Sequence, residues 1–248
     1  MRKLAFFSVL LLFITQGCVT TVVFDNVLPP VNLSREGDKA YFTGAYGTNG
    51  MTLTGGVTIL SPLQFAFSVH RNVEKGAKTL PAVSAAGNVP ENSMELESFE
   101  YLAGTYFELR ENGVLEIFAG MGRGRGEEYA FSQETWDWKP RTILRTAKGD
   151  FEKMFLQINV GKRIPSSAYG FALRWNRVTF ADYEKWHSER GTQFKGETHG
   201  DLWELTFFAR IGGDVMKFGG YGTFSFTPHK IEFQHPQLTL GVMAMLTF

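Results

Sequence analysis

The residue types needed for acid–base or nucleophilic chemistry are concentrated in one stretch of this 248-residue chain. A histidine that activates a serine hydroxyl, and is itself oriented by a carboxylate, is a common arrangement for hydrolysis and acyl transfer. The stretch supplies these residue types at Asp182, His187, Ser188, His199 and Asp201. Their spacing matches no diagnostic pattern. The sequence therefore keeps a hydrolase or acyltransferase as an alternative and assigns no catalytic residue.

Histidines and tryptophans could also build binding sites. The histidines are His70, His187, His199, His229 and His235. None has the helical spacing of a zinc protease, so we expect scattered surface histidines, with a zinc site as the alternative. We accordingly assign no metal and no cofactor. Trp136, Trp138 and Trp186 fall in expected loops, where they either pack locally or offer a recognition surface for a glycan or a protein.

The elements that position these residues follow a two-residue period that begins at Lys39. The last stretch shows this period most clearly. Its apolar face holds Leu238, Leu240, Val242, Ala244, Leu246 and Phe248. Such alternation predicts β-strands, and we expect about ten. Their expected bounds are residues 39–46, 51–60, 64–72, 98–110, 114–126, 151–162, 168–180, 201–211, 215–227 and 237–248. Asn49-Gly50, between the first two, is typical of a type I′ turn.

The connections between the expected strands alternate between short and long. Short turns are expected at Ser61-Pro62, Glu111–Gly113, Pro165–Ser167 and Gly212–Asp214. Longer loops are expected at residues 73–97, 127–149, 181–200 and 228–236. Outer-membrane barrels have short periplasmic turns and longer outer loops. This order therefore predicts a closed antiparallel barrel whose first strand begins, and whose last strand ends, on the periplasmic side. Eight strands is the alternative, if residues 39–60 are interpreted differently.

Alternation alone does not say which face points inward, because a soluble lipocalin-like barrel has the same pattern turned inside out. Three features favour a membrane. The polar faces carry glycine, threonine and sparse charges instead of a dense lysine and glutamate coat. The strands have the length that a tilted span needs. Aromatic residues such as Phe99, Tyr101 and Trp203 fall near strand ends, where an interfacial girdle would lie.

The N-terminal residues resemble an export signal. Arg2 and Lys3 precede an apolar run, Leu4–Ile14, which is too short for a membrane helix and suits a signal peptide. Cys18, the single cysteine, follows a small residue as in bacterial lipoproteins, although Thr15 replaces the usual leucine. We therefore expect a signal peptide at 1–17, a lipid-anchored periplasmic tether at 18–38 and a barrel at 39–248. An ordinary signal with an incidental cysteine is the alternative.

The pattern of charged residues favours a structural role over a catalytic one. Basic and acidic residues balance at 25 each, so no excess indicates nucleic acid as a partner. We expect lumen charges of both signs to pair and fill the interior. These are Glu100, Glu108, Glu116, Lys153, Arg163, Arg174, Glu204, Arg210 and Lys217. Glycines alternate across Gly120–Gly126, which predicts a lumen-facing stripe. Arg123 and Arg125 then face lipid near the outer end, where they could contact lipopolysaccharide phosphates.

The C-terminal pattern of Val242, Ala244, Leu246 and Phe248 resembles the signal that the insertion machinery of Gram-negative outer membranes reads. Segments 114–122 and 151–161 are similar to uncharacterised small barrels of Bacteroidota. The resemblance covers about residues 39–248 and implies residence in the outer membrane, with outer-membrane lipids and that machinery as partners. It implies no activity.

We therefore expect a small outer-membrane β-barrel protein with a structural or loop-mediated binding role. Two alternatives stay open. One is a barrel enzyme whose site at the outer rim acts on lipid A or peptide. The other is a soluble lipocalin-like lipoprotein that holds an apolar ligand.

Overall fold

A computed structural model of the chain describes residues 24, 27–29, 31–77, 91–131, 143–229, 231–233 and 235–248. These residues form one closed antiparallel barrel in which each strand pairs with the next and the last pairs with the first. The ten strands are β1 Ala40–Gly47, β2 Gly50–Leu60, β3 Leu63–Ala77, β4 Glu91–Leu109, β5 Gly113–Phe131, β6 Ile143–Ile164, β7 Ser167–His187, β8 Gly191–Gly212, β9 Met216–Phe226 and β10 Leu238–Thr247. The expected all-β barrel and the count of ten are confirmed, and the eight-stranded alternative is excluded.

The two ends of the barrel differ as the turn pattern predicts. At one end the strands are joined by short connections, including a 3-10 turn at Arg110–Asn112. Glu111 and Asn112 there have positive φ values of 57° and 66°. The barrel also begins and ends at this end, because Phe248 N donates to Ala40 O at 2.9 Å. By the rule for outer-membrane barrels, this end faces the periplasm. Among the described residues, no helix is both long and apolar enough to cross a membrane.

Three expected loops are shorter than the sequence analysis predicts, because the strands continue into them. Residues 181–200 are almost entirely strand, since β7 ends at His187 and β8 begins at Gly191. The strands around the expected loops 73–97 and 127–149 also extend, and the remaining parts, 78–90 and 132–142, lie outside the described residues. In these extensions polar residues occupy both faces, so the two-residue period that marks a lipid-facing strand is lost although the backbone ladder continues.

The Asn49-Gly50 turn also differs from the prediction. A type I′ turn needs positive φ at both central residues. Here Gly50 has a φ of +96° and Asn49 is not among the residues with positive φ. Thr48 and Asn49 instead form the connection between β1 and β2, and the Asn49 side chain is buried, with its Oδ1 3.5 Å from the Tyr221 hydroxyl. Contact with the lumen-facing Tyr221 accounts for the buried position of Asn49.

Side chains alternate between lipid-facing and lumen-facing positions along every strand. Tyr101 and Val242 point outward and are 53% and 63% exposed, whereas Thr54 and Glu100 point inward and are 2% and 0% exposed. The outward position of the apolar side chains matches the membrane interpretation of the sequence. It is the opposite of the arrangement in a lipocalin-like barrel, in which apolar side chains fill the interior. Ten strands thus enclose a lumen whose lining is rich in polar and aromatic groups.

The alternating glycines of β5 line the lumen, as expected, and make room for rings from β6. A Cβ on Gly120 would lie 2.3 Å from the Phe155 ring, and one on Gly124 would lie 2.4 Å from the Phe151 ring. Both distances are far below a van der Waals contact. The stripe therefore lets large inward side chains of β6 pack against the paired strand β5.

The described part of segment 18–38 lies inside the barrel, which differs from the expected periplasmic tether. Phe24, Leu28 and Leu33 are 0%, 3% and 0% exposed. Leu28 and Leu33 pack in one cluster with lumen-facing side chains such as Tyr106 and Phe208. The segment lacks regular secondary structure, as Pro29-Pro30 predicts, but its apolar side chains are buried against the lumen wall because a tether in water would leave them exposed. The lipid anchor at Cys18 lies outside the described residues.

Candidate functional site

The centre of the lumen holds a buried cluster of four charged side chains from four strands. Arg174 on β7 donates to both carboxylate oxygens of Glu100 on β4, at 3.2 and 3.1 Å. Lys153 on β6 forms an ion pair with the same carboxylate. Glu204 on β8 lies 4.0 Å from Arg174 Nε. The cluster contains two cations and two carboxylates, so its charges balance without any ligand, as the sequence analysis expects for paired lumen charges.

Arg174 connects this cluster to a chain of buried amides. Its Nε and one terminal nitrogen donate to Gln157 Oε1 at 3.0 and 2.7 Å. Gln157 donates to Asn159 at 2.7 Å, and Asn159 donates to Glu116 at 2.8 Å. The guanidinium carbon also lies 4.3 Å from the centre of the Phe155 ring, which covers one of its faces. A buried arginine held on this many sides is a structural group and not a mobile one.

Other lumen charges bind the N-terminal segment instead of one another. Glu116 Oε1 accepts a hydrogen bond from the Ser34 backbone N–H at 2.7 Å. Arg210 donates to Asn32 O at 3.3 Å, and Arg163 donates to Leu33 O at 3.2 Å. Buried backbone groups that lack a ladder partner must find another partner, and these side chains supply it. The sequence analysis does not include this role, although the low polarity of residues 22–34 suits a buried segment better than a tether in water.

Lower in the barrel, charged groups hold the end of the segment before β1. Arg163 forms an ion pair with Asp38, and the Glu36 backbone N–H donates to Glu108 Oε1 at 2.6 Å. Lys217 donates to Pro165 O at 2.7 Å. Each of the charged residues predicted to line the lumen thus contacts a partner within the described structure.

The outer half of the lumen is closed by aromatic rings. Phe24 lies 5.1 Å from Phe151 and 6.0 Å from Phe233, measured between ring centres. Phe233 also lies 5.0 Å from Phe180, so the connection between β9 and β10 folds into the mouth. His235 follows in this connection, and burial lowers its pKa, which favours the neutral ring. Rings at these separations are in contact and form one apolar cluster in the outer half of the lumen.

The residues considered for rim catalysis do not converge. His187 lies at the tip of the β7–β8 hairpin, opposite Gly191, whereas His199 is eight positions further along β8 and opposite Thr179. At about 3.3 Å per residue the two histidines are roughly 26 Å apart along the strand. Asp182 and Ser188 are exposed, and no hydrogen bond joins members of this set within the described residues. These five rim residues therefore form no nucleophile–base pair.

The other candidate binding residues are also separate. Within the described chain, no group of three or more histidine, cysteine or acidic side chains could hold a metal ion. His70 is buried in the lumen with Nδ1 2.9 Å from the Thr52 hydroxyl, and His229 is exposed. Trp186 is half-buried near the tip of β7, while Trp136 and Trp138 lie outside the described residues.

Arg123 and Arg125 point outward from β5, above the apolar part of the wall. They border a shallow groove of about 680 Å³ on the outer surface, together with Phe99, Glu97 and Glu152. Arg125 forms an ion pair with Glu127 and lies 3.9 Å from Asp150. Arg123 is exposed and stands in register between Phe99 and Glu152. The groove carries both signs of charge, and two of its arginines, Arg71 and Arg125, are paired with the carboxylates of Glu97 and Glu127.

Below this groove, the wall presents an apolar belt to its surroundings. Its members are 41–55% exposed in the isolated chain and include Phe65, Phe67, Tyr101, Ile117, Met121, Met154, Leu156 and Ile158. A closed barrel has no unpaired edge, so an apolar outer face is the condition for crossing a bilayer. This is a transmembrane barrel of the outer-membrane type. Such barrels, with an even number of strands and short turns at one end, belong to the outer membrane of Gram-negative bacteria, and this protein resides there.

The C-terminal strand completes the outer-membrane barrel by pairing with β1 and β9. Val242 and Phe248 are 63% and 65% exposed and face outward, and Ala244 and Leu246 share that face. Met243 and Met245, which alternate with them, are buried in the lumen. The four residues that resemble an insertion signal therefore form a lipid-facing row; recognition by the insertion machinery stays a proposal.

When the chain is compared with known proteins, the similarity concerns the fold only. No protein-family model matches the chain, and no curated protein matches its sequence. Among solved structures it is similar to the outer membrane protease OmpT from Escherichia coli, with a TM-score of 0.47, 8% identity, and coverage of 84% of this chain and 90% of that chain. The translocator domain of the autotransporter NalP from Neisseria meningitidis has a TM-score of 0.37, 10% identity, and coverage of 85% and 87%.

A major outer membrane protein from Thermus thermophilus is similar as well, with a TM-score of 0.37, 12% identity, and coverage of 84% of this chain and 99% of that chain. These proteins differ in what their names describe, since one is a protease and another a translocator domain. At such identities the likeness concerns the barrel architecture and assigns no activity.

Proposed function

We propose that this protein is a closed outer-membrane barrel with a structural role or a binding role carried by its outer hairpins, and not a channel. The observation that supports this proposal is the occupied lumen. The N-terminal segment fills it alongside the Glu100–Arg174 cluster, and the Phe24–Phe233 contact covers the outer mouth. A conducting barrel needs a continuous polar path, whereas here the central charges are paired with one another and apolar side chains of the segment occupy the space beside them.

The outer hairpins favour binding over a purely passive role. β7 and β8 have 21 and 22 residues, about twice the 9–11 residues that a tilted strand needs to cross a bilayer. The extra length projects a paired ladder beyond the apolar belt. A rigid ladder presents its side chains with little loss of conformational entropy on binding. We place a protein or glycan partner on this projection, with the half-buried Trp186 as one anchor.

Planar bilayer recordings of the purified full chain test the closed lumen. We expect no unitary current steps under a potential that resolves small porins, because the N-terminal segment packs inside the lumen in two apolar clusters, one with Leu33 and one with Phe24. Heat-modifiable migration in a detergent gel shows that the inserted protein is folded. Reproducible steps of one amplitude from folded wild-type protein would contradict the proposal.

A second binding role is favoured by the position of Arg123. We propose that Arg123 and Arg125 contact a lipopolysaccharide phosphate at the upper border of the apolar belt. The exposed Arg123 guanidinium lies beside the ring of Phe99, which suits a ligand with an anionic head and an apolar tail. Arg125 is already paired with Glu127, so we expect Arg123 to contribute most of the affinity.

The double variant Arg123→Ala/Arg125→Ala tests this contact. An arginine near an anionic membrane surface contributes about 1 kcal/mol, so we expect at least a roughly fivefold loss of co-purifying lipopolysaccharide. Arg110→Ala is the matched control, because this exposed arginine lies in a periplasmic turn, away from the outer leaflet. Equal amounts of lipopolysaccharide on the double variant and on the control would rule out the proposed contact.

A further inference from the structure

The path of the N-terminal segment carries an inference that goes beyond the proposed function. We infer that the segment crosses the membrane once, inside the lumen, and that the chain preceding Phe24 is displayed at the outer surface of the cell. The barrel would then deliver its own N-terminal part to the exterior. Any acyl chains on Cys18 would lie in the outer leaflet, in contrast to the periplasmic anchor that the sequence analysis expects.

One end of the segment is held at the periplasmic end of the barrel. The Arg35 guanidinium donates to Asn112 Oδ1 at 3.2 Å, and Asn112 belongs to the short turn between β4 and β5. The Glu36 backbone donates to Glu108, close to the same turn. Asp38 pairs with Arg163, two positions before the β6–β7 turn. These contacts come from β4, the β4–β5 turn and β6, and they define the level at which the segment leaves the lumen.

The other end of the segment lies among groups of the outer half. Phe24 contacts Phe151 and Phe233, and Phe233 belongs to the β9–β10 connection at the outer end. The Lys153 ammonium lies 5.2 Å from the centre of the Phe24 ring, which places the ring directly above the charge cluster. The cluster that contains Phe24 also includes Tyr183, on the part of β7 that extends past the apolar belt. Residue 24 is therefore nearer the outside of the cell than residue 34.

Chain length allows only one pass between these two levels. Phe151 stands opposite Gly124 on β5, and Ser34 binds Glu116 on the same strand, eight positions away. Eight strand residues span about 26 Å. Phe24 and Ser34 are ten positions apart and reach about 33 Å when extended, whereas a chain that turned back and then returned would have to cover the distance about three times. The segment descends the lumen in a single direction.

The same arithmetic limits where Cys18 can lie. Six positions separate Cys18 from Phe24, which allows at most about 22 Å of chain. From Gly124 to Gly113, the periplasmic end of β5, is eleven positions, or about 36 Å of strand and about 28 Å along the barrel axis at a typical tilt of 40°. That length of chain is shorter than the axial distance from the level of Phe24 to the periplasmic end of β5.

The lumen wall is shaped for this segment, which argues against accidental filling. A Cβ on Gly161 would lie 2.7 Å from Leu33 Cδ1, so the side chain of Leu33 occupies the space that the glycine leaves. Gly161 stands opposite Gly170, so two neighbouring strands lack a side chain at this point. Backbone groups of the segment are bound by Glu116, Arg163 and Arg210. Shape and hydrogen bonding thus match one particular chain in one register.

Surface labelling of intact cells tests the inference. A short epitope inserted after Thr21 of the full chain should bind antibody on intact cells as strongly as the same epitope inserted at residue 136, in the outer connection between β5 and β6. The same epitope inserted after Ser166, in the periplasmic β6–β7 turn, is the matched control and should bind only after the outer membrane is permeabilised. Heat-modifiable migration shows that each inserted barrel has folded.

A folded barrel whose Thr21 epitope binds antibody only after permeabilisation would overturn the inference. Where the epitope prevents folding, Thr21→Cys supplies the same readout with a membrane-impermeant maleimide, against Ser166→Cys as the periplasmic control and the unsubstituted chain as the background for Cys18. Labelling of Thr21→Cys above that background on intact cells supports the outer location, and labelling that needs permeabilisation opposes it. Neither labelling result depends on whether the barrel conducts ions. The labelling test can therefore fail while the conductance test succeeds, and the reverse.

Discussion

Removal of residues 24–34 is expected to convert the closed barrel into a conducting one. The segment runs through the lumen, so its removal leaves a path at least as wide as an extended chain, roughly 5 by 10 Å. The Glu116, Arg163 and Arg210 side chains, which bind the segment, would then line that path with polar groups. In planar bilayers we expect repeated unitary steps from the deleted protein under conditions where the wild-type chain gives none.

The control for this deletion removes eleven residues from the connection at 78–90, which changes the chain length and leaves the lumen segment in place. We expect this control to remain closed. Both variants are refolded in detergent and checked by heat-modifiable migration before recording. A deletion variant that folds and conducts no current would show that the remaining side chains, and not the segment, close the lumen.

Loss of Glu100 is expected to have the largest effect on stability. Its carboxylate binds both Lys153 and Arg174, and all three side chains are almost fully excluded from solvent. Glu100→Gln keeps the size of the side chain and leaves one positive charge in excess beside Glu204. Breaking a buried ion pair by removing one partner costs about 3–5 kcal/mol, because an uncompensated charge stays buried. We expect the unfolding midpoint in urea, followed by tryptophan fluorescence in detergent micelles, to fall accordingly.

Glu97→Gln is the matched control for Glu100→Gln. Glu97 lies three positions earlier on β4 and binds Arg71 at 2.9 Å, but the two side chains are 59% and 58% exposed. Exposed ion pairs contribute about 0–1 kcal/mol, so the control should unfold close to the wild-type midpoint. Equal shifts for the two variants would mean that solvent reaches the lumen cluster and that its burial is not what makes it important.

Much of the barrel could be predicted from local patterns. The position of the ten strands follows from the two-residue period, since neighbouring side chains of a strand must face different surroundings. Turns such as Glu111–Gly113 follow from residue types that tolerate tight backbone geometry. The limits of β7 and β8 were missed, because beyond the apolar belt the outward face of the ladder carries polar side chains such as Asp182 and Glu184. Tyr183 and Trp186 there show no alternation that would distinguish strand from loop.

The lumen charges illustrate how far a sequence pattern can predict the candidate site. Their inward direction follows from alternation, and their pairing follows from the cost of burying a lone charge. The sequence does not say that Glu100 meets Arg174 while Glu116 meets the backbone of Ser34. Those partners come from strands far apart in the chain and from barrel closure, which brings them to one level. The rim residues show the reverse case, since His187 and His199 are near in sequence and far apart in space.

The amino-acid sequence by itself determined the strands, their lipid-facing sides and the order of short and long connections, because each depends on residues within a few positions of one another. Only the tertiary structure decided what fills the barrel. The segment around Leu33 has no period that predicts its place; it is buried because the closed wall leaves a space beside Gly161 and offers partners for its backbone. That space exists only after ten strands, contributed by the whole chain, have closed around it.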